Sequence, residues 1–301
     1  MDATIVADDL CKSYKEITAI KDISLKIDKG EIFGLIGPDG AGKTTLFRIL
    51  TTLSLADSGT ASVCGLDVVK DYVRIRSEIG YMPGHFSLYQ DLSVEENLQF
   101  YASIFGMDTK SSYDNIKEIY CQLEPFRKRR AGALSGGMKQ KLALCCALVH
   151  KPKVLFLDEP TTGVDAVSRK EFWSMLKRIR ESGVSIFVST PYMDEAARCD
   201  RIAMISEGSI IGGGTPDEIC KSFPDRLYAA CGNSIFGMLK ILRATPGVKD
   251  CNSFGSICHV SVGKDGPDAS FLESILKQAG FADCKVEPIG AGIEDCFMRL
   301  S

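Results

Sequence analysis

The 301-residue sequence lacks the features of several large classes of protein. Its net charge is −3, without the surplus of lysine and arginine that is typical of nucleic-acid-binding proteins, so we expect no nucleic-acid partner. It contains twelve cysteines, but no Cys-x-x-Cys pair and no Cys/His spacing suited to zinc. No run reaches the roughly 18 uncharged apolar residues of a membrane span. The first residues also lack the basic and apolar regions of a secretory leader, so we expect a cytoplasmic protein.

A glycine-rich loop near the N-terminus is the most informative feature that is present. It lies between an apolar run, Ile32–Ile36, and a segment with a helical pattern that ends at Leu50. A strand that enters such a loop and a helix that leaves it are the context of a phosphate-binding P-loop. There, glycines let backbone N–H groups converge on phosphate oxygens at the positive end of the helix. The predicted nucleotide-binding residues of this segment are Gly37, Pro38, Asp39, Gly40, Ala41, Gly42, Lys43, Thr44 and Thr45.

Two side chains of this loop have specific expected roles. In a P-loop the lysine, here Lys43, reaches the β- and γ-phosphates, and the Thr44 hydroxyl holds Mg2+. We therefore expect the chain to bind a nucleoside triphosphate with Mg2+. We also expect Lys43 to lie in a solvent-facing loop.

Two further motifs supply carboxylates and a second anion site. The apolar strand Val154–Leu157 ends in Asp158 and Glu159. At the carboxyl edge of a parallel sheet, Asp158 is expected beside the P-loop as a Mg2+ ligand, and Glu159 as the base that deprotonates the attacking water. Upstream, Leu134–Gln140 places a serine and two glycines at the start of a helix, where backbone N–H groups attract anions.

The remaining pattern predicts two domains. Apolar strands alternate with helices up to about residue 215, which predicts an α/β fold with a parallel sheet buried on both faces. A helical stretch begins at Ser93 with a capping box, and Gly212–Gly214 is expected to end the strand pattern. After a boundary at Ser222–Pro224, the order of elements is βαββαβ, which predicts a small ferredoxin-like domain. The predicted domains are therefore 1–222 and 223–301.

Three motifs in this order and spacing resemble the ATP-binding subunit of an ABC transporter: Gly37–Thr44, Leu134–Met138 and Val154–Pro160. The resemblance covers about residues 3–221. The stretches GYMP, SVEENL and YMDEA, and a C-terminal GIEDCF, resemble the ABC-2 type drug and export branch of the family. The resemblance implies a P-loop NTPase of ABC ATPase type with an antiparallel β subdomain and a helical signature subdomain at about 85–150. The small α+β domain follows it.

The resemblance also implies roles that spacing alone does not give. Two ATP-binding subunits of this family pair head to tail, so Ser135, Gly136 and Gly137 would contact the γ-phosphate of ATP bound to the partner. Asp165 matches the aspartate that couples the two sites across the interface. Tyr14 matches the aromatic residue that stacks on adenine.

Two positions depart from the family pattern. Gly84 stands where the family has a glutamine that contacts Mg2+ and the attacking water, and Pro191 where it usually has a histidine that bonds the γ-phosphate. Neither residue offers a polar side chain, and proline also lacks a backbone N–H. Phosphoryl transfer depends mainly on positioning and electrostatics, so we expect slow hydrolysis at this P-loop. His85 and Gln90 lie near the first position in sequence but out of register.

The expected function is an ATPase that energises a membrane exporter, located on the inner face of the cell membrane through its partner. Its expected partners are separate transmembrane permease subunits and a second ATP-binding subunit, in a homodimer or a heterodimer. The segment His85–Leu98 would form part of the docking groove for the permease. The alternative is a hydrolysis-poor clamp in a heterodimer whose partner carries the active site. A soluble ABC ATPase of DNA repair or translation is not favoured, because the sequence contains neither a long coiled-coil insertion nor a second ATP-binding half.

Overall fold

The computed structural model describes residues 3–301, apart from the side chain of Thr109. The chain divides into two compact units between Pro216 and Asp217, whereas the sequence predicts a boundary between 222 and 223. Among the described helices, none is both long and apolar enough to cross a bilayer.

The first unit contains strands β1 to β10 and helices α1 to α7. In chain order they are β1 (Ala3–Tyr14), β2 (Ile17–Asp28), β3 (Ile32–Ile36), α1 (Lys43–Leu50), β4 (Ser58–Val63), β5 (Leu66–Asp67), α2 (Tyr72–Glu78), β6 (Ile79–Met82), α3 (Val94–Ile104), α4 (Thr109–Tyr120), α5 (Gly136–Leu148), β7 (Val154–Asp158), α6 (Ala166–Glu181), β8 (Ser185–Thr190), α7 (Met193–Ala196), β9 (Arg201–Ser206) and β10 (Ser209–Gly214). Helix α8 (Pro216–Lys221) spans the boundary between the units.

A six-stranded sheet with the order β10-β9-β3-β8-β7-β6 forms the centre of the first unit. All its strands except β10 run parallel, and every residue of β3, β7 and β8 is buried. This burial on both faces explains why these strands read as continuous apolar runs. In the register, Ile36 pairs with Thr190, Asp158 with Ser189, and Met82 with Leu157. The loops that follow four strands therefore begin at the same edge of the sheet.

Three aromatic rings fix helix α1 on this sheet. Phe47 of α1 packs against Phe187 of β8, with ring centroids 4.5 Å apart, and against Phe156 of β7 at 5.9 Å. All three side chains are fully buried. Since α1 starts directly after the glycine-rich loop, this packing also fixes the loop relative to the ends of β7 and β8.

A second sheet of the first unit has the order β2-β1-β4-β5 and is antiparallel. The sequence predicted strands only at 5–7 and 23–27, but β1 and β2 each extend over twelve residues. Their pairing contains several register shifts, so the outer halves lose the strict alternation of apolar and polar residues. That loss explains why the pattern revealed only the inner parts.

The glycine run 212–214 marks the end of the strands of the first unit, as predicted, but it lies within a strand that the sequence did not predict. It forms the second half of the edge strand β10, where Gly213 pairs with Ala203 of β9. A Cβ atom at position 213 would lie 2.9 Å from the carbonyl oxygen of Ile202. Glycine is therefore used here for close approach of two backbones rather than for a turn.

The helical region between β6 and β7 consists of α3, α4 and α5. The predicted capping box at its start is confirmed: the Ser93 Oγ accepts a hydrogen bond from the Glu96 N–H (3.2 Å), and Glu96 Oε2 accepts one from the Ser93 N–H (2.7 Å). The single predicted helical stretch is divided into three helices with two short 3-10 turns between α4 and α5.

The second unit follows the predicted βαββαβ order and ends in a helix. Its elements are β11 (Arg226–Cys231), α9 (Ile235–Ala244), β12 (Val248–Phe254), β13 (Ile257–Val262), α10 (Ala269–Gln278), β14 (Lys285–Ile289) and α11 (Ile293–Leu300). The sheet has the order β12-β13-β11-β14 and is antiparallel throughout, as a split βαβ arrangement requires. Its core includes Tyr228, Met238, Leu242, Val260 and Leu276.

Candidate nucleotide-binding site

The glycine-rich loop joins the end of β3 to the start of α1 in a conformation that depends on glycine. Gly40 and Gly42 have φ angles of +80° and +104°, in the left-handed region that favours glycine. A Cβ atom on Gly42 would lie 2.4 Å from the Ala19 carbonyl oxygen, and one on Gly37 would lie 2.2 Å from that of Ile205. Residues 37 and 42 must therefore be glycine for this backbone to close over the helix N-terminus.

Lys43 is buried rather than solvent-facing, so that expectation was wrong. Its side chain is 3% exposed, because the loop folds over it. The ammonium Nζ donates to the carbonyl oxygens of Gly37 (2.8 Å) and Pro38 (2.9 Å) and lies 3.1 Å from Glu159 Oε1. The loop thus holds a positive charge at the N-terminus of α1, whose first turn contains no acidic residue.

Asp158 and Glu159 lie at the end of β7 in different environments. Asp158 is 1% exposed, and its Oδ1 accepts a hydrogen bond of 2.6 Å from the Ser189 hydroxyl. Glu159 adopts φ = +49°, which is uncommon for a residue other than glycine. Its N–H donates to both the carbonyl oxygen and the Oγ of Ser189. Ser189, which sequence reasoning missed, therefore positions both carboxylates; a serine at the end of an apolar strand was the available signal.

The donor set at this edge fits Mg2+ bound together with phosphate. Thr44 lies in the exposed first turn of α1, and Asp158 ends the neighbouring buried strand. A hydroxyl and a carboxylate are hard oxygen ligands of the kind that Mg2+ takes alongside phosphate oxygens. Within residues 3–301, no group of three or more His, Cys, Asp and Glu side chains could hold a metal ion. The remaining ligands would have to come from the nucleotide and water.

One departure from the family pattern borders these carboxylates, and the other follows the end of β8 beside the glycine-rich loop. A Cβ atom on Gly84 would lie 3.2 Å from the Asp158 carbonyl oxygen and 3.8 Å from the Glu159 Cβ. Pro191 follows Thr190, whose carbonyl oxygen accepts a hydrogen bond from the Gly37 N–H (3.3 Å). Both positions are at the site, and neither brings a polar side chain to it.

The two residues that lie near Gly84 in sequence have other surroundings. His85 lines a cavity of about 290 Å³ together with Tyr81, Phe105 and His150. The carbonyl oxygen of Gln90 accepts a hydrogen bond from the Gly132 N–H (2.9 Å) in the helical region.

Burial, with a smaller contribution from the Asp158 charge, raises the pKa of Tyr81 to about 12, so this phenol stays protonated at neutral pH.

The serine–glycine motif packs against the segment that contains Asp165. Ser135 is the N-cap of α5, and its Oγ accepts a hydrogen bond from the Met138 N–H (3.4 Å). A Cβ atom on Gly137 would lie 2.7 Å from the Ser168 Oγ, and one on Gly136 would lie 3.5 Å from the Gly163 carbonyl oxygen. The two motifs predicted to contact a partner's nucleotide are therefore adjacent in this chain.

Asp165 also has a structural role within the chain. Its Oδ1 accepts hydrogen bonds from the N–H groups of Val167 (3.1 Å) and Ser168 (3.0 Å) at the start of α6. These hydrogen bonds lower the pKa of the Asp165 carboxyl, which is solvent-exposed. The side chain is therefore an ionised helix cap at neutral pH.

Tyr14 lies at the end of β1, next to the turn into β2. Its side chain is 44% exposed, and the Lys12 Nζ lies 5.6 Å from the centre of its ring. Asp57 accepts a hydrogen bond of 2.6 Å from the same Nζ. The ring therefore has a free surface, as stacking on a base requires.

A protein-family model described as "ABC transporter" matches residues 20–162. The chain is 40% identical over 220 residues to the "Probable multidrug ABC transporter ATP-binding protein YbhF" of Escherichia coli (strain K12), which covers 72% of this chain and 38% of that protein. The chain thus spans well under half the length of this relative. It is 37% identical over 223 residues to the "Doxorubicin resistance ATP-binding protein DrrA" of Mycobacterium tuberculosis (strain H37Rv), covering 72% and 67% of the two chains. It is 38% identical over 309 residues to the "Nod factor export ATP-binding protein I" of Paraburkholderia xenovorans (strain LB400), covering 100% and 97%.

Solved structures show the same fold. An ATP-binding subunit of an ABC transporter superposes with a TM-score of 0.67 at 26% identity, covering 73% of this chain and 93% of that one. A dimeric bacterial ABC transporter cassette, MJ0796, superposes with a TM-score of 0.64 at 25% identity, covering 70% and 98%. With the glycine-rich loop, the paired carboxylates and a near full-length relative in agreement, the chain belongs to the family of ABC transporter ATP-binding proteins.

Proposed function

We propose that this chain binds ATP with Mg2+ and hydrolyses it to energise a membrane exporter. The observation that carries the proposal is the pairing of Lys43 with Glu159 at 3.1 Å, at the edge where the loop after β3 and the end of β7 meet. This pair combines a phosphate-binding cation and a candidate base at the N-terminus of a helix.

Nucleotide binding would use the glycine-rich loop, the end of β7 and Tyr14. The backbone N–H groups of Gly40–Lys43 and the Lys43 ammonium would bind the β- and γ-phosphates, while Tyr14 stacks on adenine. Thr44 and Asp158 would hold Mg2+, which neutralises the charge of these phosphates when it is bound. Lys43 would then exchange its contact with Glu159 for one with a phosphate oxygen.

Hydrolysis would use the carboxylate that this exchange sets free. Glu159 accepts a proton from a water molecule, the water oxygen bonds to the γ-phosphorus, and the bond from that phosphorus to the bridging oxygen breaks. The products are ADP and inorganic phosphate. Ser189 holds the Glu159 backbone in place for this step through two hydrogen bonds to its N–H.

Turnover at this site is expected to be slow, because Gly84 and Pro191 supply no side chain to hold the attacking water. The test is a set of full-length variants, Gly84→Gln, Pro191→His and the double change, assayed for ATP hydrolysis. A Cβ atom at position 84 would lie 3.2 Å from the Asp158 carbonyl oxygen, so the end of β7 must shift by a few tenths of an ångström to accept it. We expect the double change to raise kcat more than either single change, since both groups act on one transition state. Glu159→Gln should abolish the gain; fast wild-type hydrolysis that neither change improves would contradict the proposal.

The relatives support the wider assignment to an exporter. Those that the chain resembles carry names of multidrug resistance, doxorubicin resistance and Nod factor export. We propose a head-to-tail dimer in which Ser135–Gly137 and Asp165 approach ATP bound to the second subunit. Permease subunits on other chains would dock at His85–Leu98, beside the cavity that His85 lines. The protein would then be peripheral on the inner face of the cell membrane.

The lack of a polar side chain at Gly84 and Pro191 also favours a second candidate function, an ATP-binding clamp in a heterodimer. The two functions differ in where hydrolysis occurs. Co-purification of this chain with its membrane partner, followed by ATPase assays of the whole complex, separates them. If Glu159→Gln in this chain abolishes hydrolysis by the complex, this chain carries an active site; if hydrolysis persists, a paralogous subunit carries it.

A further inference from the structure

A buried carboxylate outside the catalytic pair joins two segments that border the site. Glu195, on the short helix α7, is 2% exposed. Its Oε2 accepts hydrogen bonds from the hydroxyl groups of Thr190 (2.7 Å) and Thr161 (3.0 Å). Both threonines are buried as well. Thr161 lies two residues after Glu159, and Thr190 directly precedes Pro191, so one oxygen atom ties the two segments together.

The same contacts continue to the P-loop on one side. The Thr190 carbonyl oxygen accepts a hydrogen bond from the Gly37 N–H (3.3 Å), and the Thr190 hydroxyl accepts one from the Tyr192 N–H (3.1 Å). The turn at Pro191 therefore has a fixed shape although the proline itself donates no hydrogen bond.

On the other side the contacts lead towards Asp165. The Thr161 carbonyl oxygen accepts a hydrogen bond from the Val164 N–H (3.2 Å), in the loop that ends at the α6 cap. Hydrogen bonds of Thr190, Glu195 and Thr161 thus connect the first residue of the P-loop with the loop before Asp165.

The second oxygen of Glu195 argues against a purely stabilising role. Oε1 is buried and has no hydrogen-bond partner among the described residues. An unsatisfied buried polar atom of this kind lowers the stability of the fold. An apolar side chain in this place would avoid that cost, but it could not receive both threonine hydroxyl groups.

We propose that Glu195 is a positioning residue for ATP hydrolysis. It holds the Thr161–Asp165 loop and the Pro191 turn in one arrangement relative to the P-loop. The inference rests on the proposed function. It assigns to Glu195 the role of fixing the turn that contains Pro191, where the family usually has a histidine.

The test compares variants of the full-length chain that remove the shared acceptor with variants that keep it. Glu195→Met removes the acceptor at similar length, whereas Glu195→Gln keeps a carbonyl oxygen for the two hydroxyl groups. Thr161→Val and Thr161→Ser form a second such pair, in case the methionine variant does not fold. Glu181→Met, on the exposed end of α6, is the matched control.

Two readouts are needed. We expect Glu195→Met to lower kcat by about tenfold or more with little change in the KM for ATP, because the interaction acts on the transition state rather than on binding. Glu195→Gln and Thr161→Ser should stay close to wild type. By hydrogen exchange, the amides of Val164 and Tyr192 should both exchange faster in Glu195→Met and in Thr161→Val, and neither should change in the control.

The outcomes are distinct. A folded Glu195→Met variant with wild-type kcat, or faster exchange in only one of the two segments, overturns the inference. Equal losses of kcat in the methionine and glutamine variants would also overturn it. Absence of hydrolysis by the wild type with Mg-ATP bound, alone and in its complex, would overturn the proposed function instead. In that case the exchange measurement still decides whether Glu195 joins the two segments.

Discussion

At the scale of single residues, the candidate site is built on a buried lysine. The ammonium group of Lys43 is removed from water and has three oxygen partners, two of them carbonyl groups of its own loop. Such a group contributes to the fold as well as to the binding of phosphate, because its removal leaves buried acceptors without a donor.

Lys43→Ala is therefore expected to weaken ATP binding and to destabilise the protein. The loss in the free energy of unfolding should be about 1–3 kcal/mol, the usual penalty for buried polar groups that lose a partner. Isothermal calorimetry with Mg-ATP measures the first effect and urea denaturation the second. Lys170→Ala, on the exposed side of α6, is the control and should change neither. Unchanged ATP affinity in the Lys43 variant would contradict the P-loop assignment.

His150 should make stability depend on pH. Its ring stacks on Phe105 with centroids 3.7 Å apart, and its Nε2 lies 2.9 Å from the Ile79 carbonyl oxygen. Burial lowers the pKa of His150, although the hydrogen bond to Ile79 acts in the opposite direction. The folded protein thus favours the neutral ring, whereas the unfolded chain takes up a proton near pH 6.5. Stability is therefore complete above about pH 6.5 and declines as the pH falls below it.

The variant His150→Gln removes this titration and keeps a donor for Ile79. Between pH 7.5 and 5.5, the wild type should lose up to about 1.4 kcal/mol more stability than the variant. Urea denaturation of both proteins at the two pH values measures this difference, and the contributions of the other titrating groups cancel. An equal loss in both proteins would show that His150 titrates normally in the fold.

The sequence identified the residues that carry chemistry better than those that hold them. Lys43, Asp158 and Glu159 stand in recognisable motifs, and the structure brings Lys43 and Glu159 together. Ser189 and Glu195 were missed. Their contacts join residues that are far apart in the chain, and the register between β7 and β8, which local patterns do not specify, brings them together.

At the scale of elements, patterns predicted best where local signals agree. The βαββαβ order that the sequence predicts for the second unit agrees with the order of β11, α9, β12, β13, α10 and β14. Strand β10 was not predicted, because half of it is a glycine run that allows close packing of two strands. The predicted strands were too short at β1 and β2, where register shifts hide the alternation.

The capping box at the start of α3 gives a test at this scale. In Ser93→Ala the Glu96 N–H loses its acceptor, and we expect a loss of about 1 kcal/mol in stability. Thermal or urea unfolding measures it. Ser87→Ala, in the exposed loop before α3, is the matched control and should be neutral. A neutral result for Ser93→Ala would mean that tertiary packing alone fixes the start of this helix.

At the scale of the whole molecule, the chain divides into two compact units, and the predicted nucleotide-binding motifs all lie in the first. Every residue of the candidate site precedes Pro216, and the second unit has its own buried core. The alternation of strands and helices predicted both fold classes. The strand order β10-β9-β3-β8-β7-β6 could not be read from the chain, because it depends on pairings between distant segments.

A chain that ends after Phe223 is therefore expected to fold and to bind Mg-ATP with nearly unchanged affinity. Calorimetry on the truncated and full-length proteins tests this, with circular dichroism to show that the truncated chain is folded. The same truncation with Lys43→Ala is the negative control. If the folded truncated chain does not bind ATP, the second unit contributes to the site.

The left-handed backbone of Glu159 has a consequence for how this protein can change. A φ of +49° costs a residue with a side chain about 1–2 kcal/mol, whereas glycine adopts it freely. Glycine at position 159 would therefore relieve backbone strain, but it would discard the proposed base and leave the buried Lys43 ammonium without its carboxylate partner. The backbone and the side chain thus place opposite demands on one residue.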